Sequence, residues 1–170
     1  MALLDWATKK LRYNQLQKTI ASISQDQNIK TCLNVGGNYG YADKILTGLG
    51  YEVSTCDIEA EHCAYCNLEE GLPYEDSAFD LIVCLAVVEH VANWPKALSE
   101  LKRVSKKAVI VTTPSIYGKP VLEALALLGL VNKQHIDDHK YYLTHSDFKA
   151  HGYSHEYFTF WLNQCAVYQK

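Results

Sequence analysis

A chain of 170 residues with 48% apolar residues, 21% charged residues and a formal charge of −3 is long enough to bury one core and too apolar to stay disordered. The slightly acidic balance speaks against a nucleic-acid backbone as partner, and the longest apolar stretch, residues 121–131, contains Glu123 and is too short to cross a bilayer. Met1 to Lys10 lacks the apolar run of a signal peptide, so a cytoplasmic protein is expected, its six cysteines mostly reduced and Cys32, Cys56 and Cys84 serving as buried small hydrophobes.

Residues 3–24 are predicted to form an amphipathic helix, because Leu4, Ala7, Leu11, Leu16, Ile20 and Ile23 recur near helical spacing. Lys30 to Val35 reads as a strand, Tyr41 to Leu49 as a helix stopped by Gly48 and Gly50, and Tyr51 to Cys56 as a second strand. A polar segment from Asp57 to Ser77 follows, with Gly71 and Pro73 as turn residues. Phe79 to Leu85 reads as an apolar strand of the kind buried on both faces. Pro95 to Val104 is predicted to be a helix with Pro95 in its first turn and Ala97, Leu98, Leu101 and Val104 facing inward. Ala108 to Thr113 is another buried strand, ended by Pro114. Gly118 to Leu130 is a helix apolar nearly all round, either fully buried or part of a subunit or hydrophobic-substrate surface. Val131 to Ser146 is polar and rich in histidine. Tyr153 to Trp161 and Gln164 to Tyr168 close the chain as a hairpin across Leu162-Asn163.

Strands alternating with helices predict an α/β fold: a Rossmann-like, doubly wound, mostly parallel sheet with helices on both faces and a C-terminal antiparallel hairpin. Residues 1–170 form one domain in this reading. The N-terminal helix occupies 1–25, and 114–150 is the segment expected to cap the acceptor side.

Leu33 to Asp57 has the form of a βαβ nucleotide-binding half-fold. The turn Gly36-Gly37-Asn38-Tyr39-Gly40 lets the backbone approach a ligand where a Cβ would collide. The helix after it offers unpaired N–H groups to an anionic ligand end. Asp57, at the tip of the next strand, is placed to accept from a ribose diol, and Ile58 to pack on the adenine face. A nicotinamide or flavin dinucleotide fingerprint needs G-x-G-x-x-G spacing. It fails in both registers, which meet Asn38 and Tyr41 from Gly36, and Tyr39 and Ala42 from Gly37.

With these residues in place, the chain from about Thr31 to Phe160 resembles the class I S-adenosylmethionine-dependent methyltransferases, in the branch that acts on small molecules. The resemblance rests on LNVGGNYG at 33–40, Asp57, NLEEGLPYEDSAFDLIVCLAVVEHV at 67–91, and LSELKRVS at 98–105 leading to VIVTTPS at 109–115. It implies a seven-stranded sheet, S-adenosylmethionine as cofactor with S-adenosylhomocysteine as product, and methyl transfer to a small-molecule acceptor. The cofactor-binding residues it implies are Asn34, Gly36, Gly37, Asn38, Gly40, Asp57, Ile58, Asn67, Leu68, Leu85 and Ala86. Asn34 stands where the family's loop usually has an acid, Asn38 where it has its middle glycine, and Asn67 where an aspartate often meets the adenine. Restoring Asn34→Asp and Asn38→Gly is expected to raise cofactor affinity. The alternative reading is a non-catalytic methyltransferase-fold binding or partner module with a weakened cofactor loop.

His135 or His139 is the candidate general base for an acceptor hydroxyl, since imidazole titrates near neutrality. Glu89 and His90 fit the family's "EH" turn and are read as fixing a helix end. His62-Cys63-Ala64-Tyr65-Cys66 lacks the second ligand pair of a structural zinc site. The histidines between His135 and His155, though conceivable as a divalent-metal site, read as a solvated loop. No metal is expected, nor any nucleic acid or membrane span, and the oligomeric state is monomer or homodimer.

Overall fold

The structure, a computed structural model, describes residues 5–24, 28–37, 40–132 and 137–170. Seven strands form one sheet in the order β3-β2-β1-β4-β5-β7-β6. They are β1 (Thr31–Val35), β2 (Glu52–Asp57), β3 (Ala64–Tyr65), β4 (Phe79–Leu85), β5 (Ser105–Pro114), β6 (Ser154–Phe158) and β7 (Asn163–Gln169). β7 runs antiparallel to both β5 and β6, and every other pairing is parallel. The helices are α1 (Asp5–Ser24), α2 (Tyr41–Gly48), α3 (Trp94–Val104), α4 (Lys119–Leu127) and α5 (His145–Ala150). The doubly wound, mostly parallel sheet expected from the sequence is therefore present.

The apolar runs at residues 81–85 of β4 and 108–111 of β5 follow from burial on both faces. Successive side chains of a strand point to opposite sides. Ile82 and Cys84 of β4, with Val109 and Val111 of β5, enter one core beneath Ala97, Leu98, Leu101 and Val104 of α3. Leu81, Val83, Ala108 and Ile110 enter the other, against Leu16, Ile20 and Ile23 of α1 and Ala42 and Leu46 of α2. Leu11, expected on the inward face of α1, is exposed. At α3, Asn93 accepts from the Lys96 N–H at 3.2 Å and caps the helix, and Pro95 takes the first turn, where its missing N–H removes no helical bond.

Three expectations need correction. The polar stretch after Asp57 contains β3, whose two residues pair with Cys56 and Asp57; nothing in so short and exposed a strand carries an apolar period. The hairpin turns at Thr159–Leu162 rather than at Leu162-Asn163, with Thr159, Phe160 and Trp161 all at positive φ and Asn163 already in β7. Cys56 is not a free thiol: it is disulfide-bonded to Cys66, with Cα atoms 5.5 Å apart, while Cys32, Cys63, Cys84 and Cys165 are free. Of the two readings of the apolar helix at 118–130, the structure supports the surface one, since no residue of α4 is buried. No helix among the described residues is long and apolar enough to cross a membrane.

Candidate functional site

β1 is flanked by β2 on one side and β4 on the other, so the chain leaves the middle of the sheet in opposite directions after β1 and β4. In open α/β sheets such a switch point leaves a crevice outside the carboxyl ends of the strands, where ligands bind. Gly36, Gly37, Asp57, Ile58, Leu85 and Ala86, six of the residues expected to hold a cofactor, lie at or just after the carboxyl ends of β1, β2 and β4.

β1 ends at Gly36, whose φ of +78° suits glycine and whose N–H donates to the Cys56 carbonyl at 2.8 Å. A Cβ on Gly36 would run into the Val87 side chain, so the turns after β1 and β4 lie in direct contact. Gly37 is hemmed in by Asn34 and Thr55. Its carbonyl accepts from the Gly40 N–H at 2.8 Å, and Gly40, at φ 60°, opens α2 without a side-chain cap among the described residues. Asn38 lies outside the described residues.

Asn34 is buried. Its Nδ2 donates to Asp43 Oδ1 at 2.7 Å, and Thr55 Oγ1 donates to the same oxygen at 2.8 Å. Asp43, in the first turn of α2, was not singled out from the sequence. It puts a carboxylate beside the loop although position 34 lacks one.

Asp57 ends β2 and is half-buried, with Oδ1 accepting from the Glu59 N–H at 3.0 Å. Beside it Ile58 is 61% exposed, an apolar side chain without cover at the sheet's carboxyl edge. Asn67 is half-buried; its Oδ1 accepts from the Glu69 N–H and its Nδ2 donates to Glu70, both at 3.0 Å. Leu68 packs into the core beneath α3. Leu85 is partly buried against the α1–α2 side, and Ala86, at φ 57°, donates its N–H to the Thr112 carbonyl at 2.8 Å.

A second group of contacts joins the turn after β4, the end of β5 and the segment before α5. Val88–His90 forms a single 3-10 turn. The Glu89 carbonyl accepts from the N–H groups of Lys140 and Tyr141, at 2.9 and 3.2 Å. The fully buried Gln164 donates to the carbonyls of Leu143 and Pro114, at 2.8 and 3.1 Å. These bonds set His139 against the β4 turn, with its ring 4.9 Å from that of His90 and its Nδ1 3.2 Å from the Tyr142 hydroxyl. His135 lies outside the described residues. The expectation that Glu89 fixes a helix end is corrected, because its carboxylate makes no hydrogen bond among the described residues. Burial pushes its carboxyl up to about 7, against the pull of its own backbone N–H and of Arg12. His90 does tie down chain: its Nδ1 donates to the Asp138 carbonyl at 3.0 Å.

Near the same edge, Ile116, Tyr117 and Val121 are exposed, as are Phe160 and Trp161 of the β6–β7 turn. Ser115 holds that turn through its N–H on the Leu162 carbonyl and its hydroxyl on the Trp161 carbonyl. Two shallow clefts lie elsewhere, between α1 and the β6–β7 hairpin, and share no residue with the sites above.

The profile of a family described as a methyltransferase domain matches residues 33–112. Among characterised folds, the chain is similar to a SAM-dependent methyltransferase from Archaeoglobus fulgidus, with TM-score 0.68 and 14% identity over 95% of this chain and 94% of that one. It is similar also to magnesium protoporphyrin IX methyltransferase from Synechocystis PCC 6803, a structure with bound SAH, with TM-score 0.61, 16% identity and coverage of 96% and 86%. In sequence it is 32% identical over 85 residues to an uncharacterized protein of Methanocaldococcus jannaschii, a match that spans 48% of this chain and 33% of that protein's length.

Proposed function

We propose that this chain, whose residues 33–112 match the profile of a methyltransferase domain and whose fold is similar to that of a SAM-dependent methyltransferase, is a class I S-adenosylmethionine-dependent methyltransferase that binds S-adenosylmethionine along the carboxyl edge of the sheet and passes the methyl group to a small-molecule acceptor, leaving S-adenosylhomocysteine. The observation that carries this reading is the placement of Asp57 beside the Gly36 turn at the switch point, held by the Gly36 N–H bond to the Cys56 carbonyl. The surroundings fit an adenosine: a half-buried carboxylate, an uncovered isoleucine next to it, and an uncapped helix start across the turn.

The cofactor supplies a methyl group on a sulfonium, which needs alignment and a dry site rather than many hydrogen bonds. Asp57 accepts from the ribose hydroxyls. Ile58 covers the adenine, and Asn67 orients it. The N–H groups at the start of α2 and the Gly36-Gly37 backbone meet the carboxylate of the methionine end. Leu85 and Ala86 line the place of the reacting centre and keep water from it. The 114–150 segment forms the acceptor side, and His139 handles the acceptor's hydroxyl.

Isothermal titration with S-adenosylmethionine and S-adenosylhomocysteine tests the cofactor reading, with binding of both expected in the micromolar range. If neither binds at high micromolar concentration, the reading fails. Binding with no transfer in a broad acceptor screen returns the non-catalytic alternative.

A further inference from the structure

The turn after β4 holds a carboxylate that cofactor binding leaves unexplained. Glu89 is 1% exposed, and neither of its oxygens has a hydrogen-bond partner among the described residues. Buried carboxylates are ordinarily paired, hydrogen-bonded or bound to a cation. The backbone N–H of Glu89 and the Arg12 guanidinium act on this one without reaching hydrogen-bond geometry.

Two imidazoles stand beside it. One ligand atom from each of Glu89, His90 and His139 can be chosen so that all lie within 4.8 Å of one another. Both rings already have Nδ1 engaged, His90 with the Asp138 carbonyl and His139 with the Tyr142 hydroxyl. A carbonyl can only accept, so His90 Nδ1 carries the proton and Nε2 keeps its lone pair. Outer hydrogen bonds of this kind orient metal-bound histidines. The main-chain bonds from Lys140 and Tyr141 to the Glu89 carbonyl hold the two halves of the cluster together.

We propose that Glu89, His90 and His139 bind one divalent transition-metal cation. Two imidazoles with one carboxylate suit zinc, manganese, iron(II) or cobalt better than magnesium or calcium, which favour oxygen ligands. Three protein ligands leave positions open. Resting on the methyl-transfer reading above, the acceptor class is then one that carries a hydroxyl, whose oxygen the cation holds and makes more acidic, with His139 acting on that hydroxyl as a ligand of the cation and not as the base. This revises the sequence expectation of no metal. The ligands come from two segments that only the fold brings together, so no ligand spacing marks them in the sequence.

The test is titration of the full chain, stripped with a chelator, with Co2+ and Mn2+ in the absence of S-adenosylmethionine. One equivalent is expected to bind, with visible cobalt bands of a nitrogen–oxygen site. Affinity should fall at least about ten-fold in Glu89→Gln and in His139→Ala, each checked for folding by circular dichroism. The half-buried His139 keeps the test open should Glu89→Gln not fold. His145→Ala, which removes a separate histidine pair with His155, should leave the binding unchanged. Absence of saturable binding overturns the proposal, as does wild-type affinity in folded His139→Ala or a loss that follows His145→Ala instead. Cofactor titration of the metal-free protein separates the two readings. Cofactor binding without metal uptake removes the cation site alone; metal uptake without cofactor binding removes methyl transfer alone.

Discussion

Asn34 and Asp43 are joined by a hydrogen bond of 2.7 Å in which the amide donates and the carboxylate accepts. The pair sits under the loop that follows β1, with Thr55 donating to the same oxygen. The amide at position 34 and the acid at position 43 are therefore one unit. The asparagine is there to serve the aspartate, and the local negative charge resides on α2.

This reverses one sequence expectation. Asn34→Asp would place a second carboxylate against Asp43 in a buried position, where like charges cannot both ionise without cost. The substitution should lower stability by about 1–3 kcal/mol and leave cofactor affinity no better. The exchanged double variant Asn34→Asp with Asp43→Asn should recover most of the loss. Urea unfolding of the three variants checks this, and a double variant no more stable than Asn34→Asp would defeat the account.

Asp57→Ala should weaken S-adenosylmethionine binding roughly 10- to 150-fold, the size of one or two charge-assisted hydrogen bonds. Its side chain is half-buried and its Oδ1 accepts from the Glu59 N–H within the turn after β2, so a melting curve reports what losing that bond does to the fold. Calorimetric titration alongside a melting curve distinguishes a lost ligand contact from a damaged fold. Equal affinity in the variant would remove Asp57 from the site.

The disulfide joins Cys56, next to Asp57, to Cys66, next to Asn67, and so ties the end of β2 to the following loop. The cross-link is short in sequence, with a separation of 10, and closing such a loop restricts the unfolded chain by about 2–3 kcal/mol. Alkylation of the unfolded, unreduced protein should therefore label Cys32, Cys63, Cys84 and Cys165 only. A dithiol reductant should lower the melting temperature of the wild type and leave that of Cys66→Ser unmoved. Six labelled cysteines before reduction would show the bond to be absent.

The sheet was legible because its central strands obey a rule of composition: a strand segment buried on both faces is apolar at successive positions, as residues 81–85 of β4 are. The residues that follow β1 and β2 were legible because the switch point gives Gly36 and Asp57 a fixed place once the strands are placed. β3 escaped notice because a two-residue exposed strand buries nothing. The Cys56–Cys66 pair escaped because connectivity is not encoded in spacing. Asp43 reads as an ordinary first-turn acid until Asn34 is seen to bond to it. The nearness of His139 to Glu89 depends on Gln164 and on backbone bonds between segments far apart in the chain, which no local pattern records.

Arg103 extends the argument to acid stability. Its Nε and Nη2 donate to the two oxygens of Glu100 at 2.8 and 2.7 Å, and Glu100 Oε1 also accepts from the Leu72 N–H at 2.7 Å. The loop carrying Asn67 and Leu72 is thus clamped onto α3. The Arg103 bonds hold the Glu100 carboxyl below its usual range, outweighing the opposing effect of burial, with the Leu72 N–H adding to the depression. A depressed folded-state value means that the stabilisation is fully present above the unfolded value of about 4.3 and is lost as pH falls through the folded one. Arg103→Ala leaves Glu100 nearly buried without its cation, and should cost about 1–3 kcal/mol at pH 7. The second bond of Arg103, to the exposed Asp76, should contribute little. The gap between wild type and variant should narrow as the pH is lowered below the unfolded value and through the depressed folded one, because a protonated Glu100 no longer needs the guanidinium. Urea unfolding of both proteins across that range measures the gap directly. A difference that stays constant with pH would assign Arg103 to packing alone and release the loop from electrostatic control.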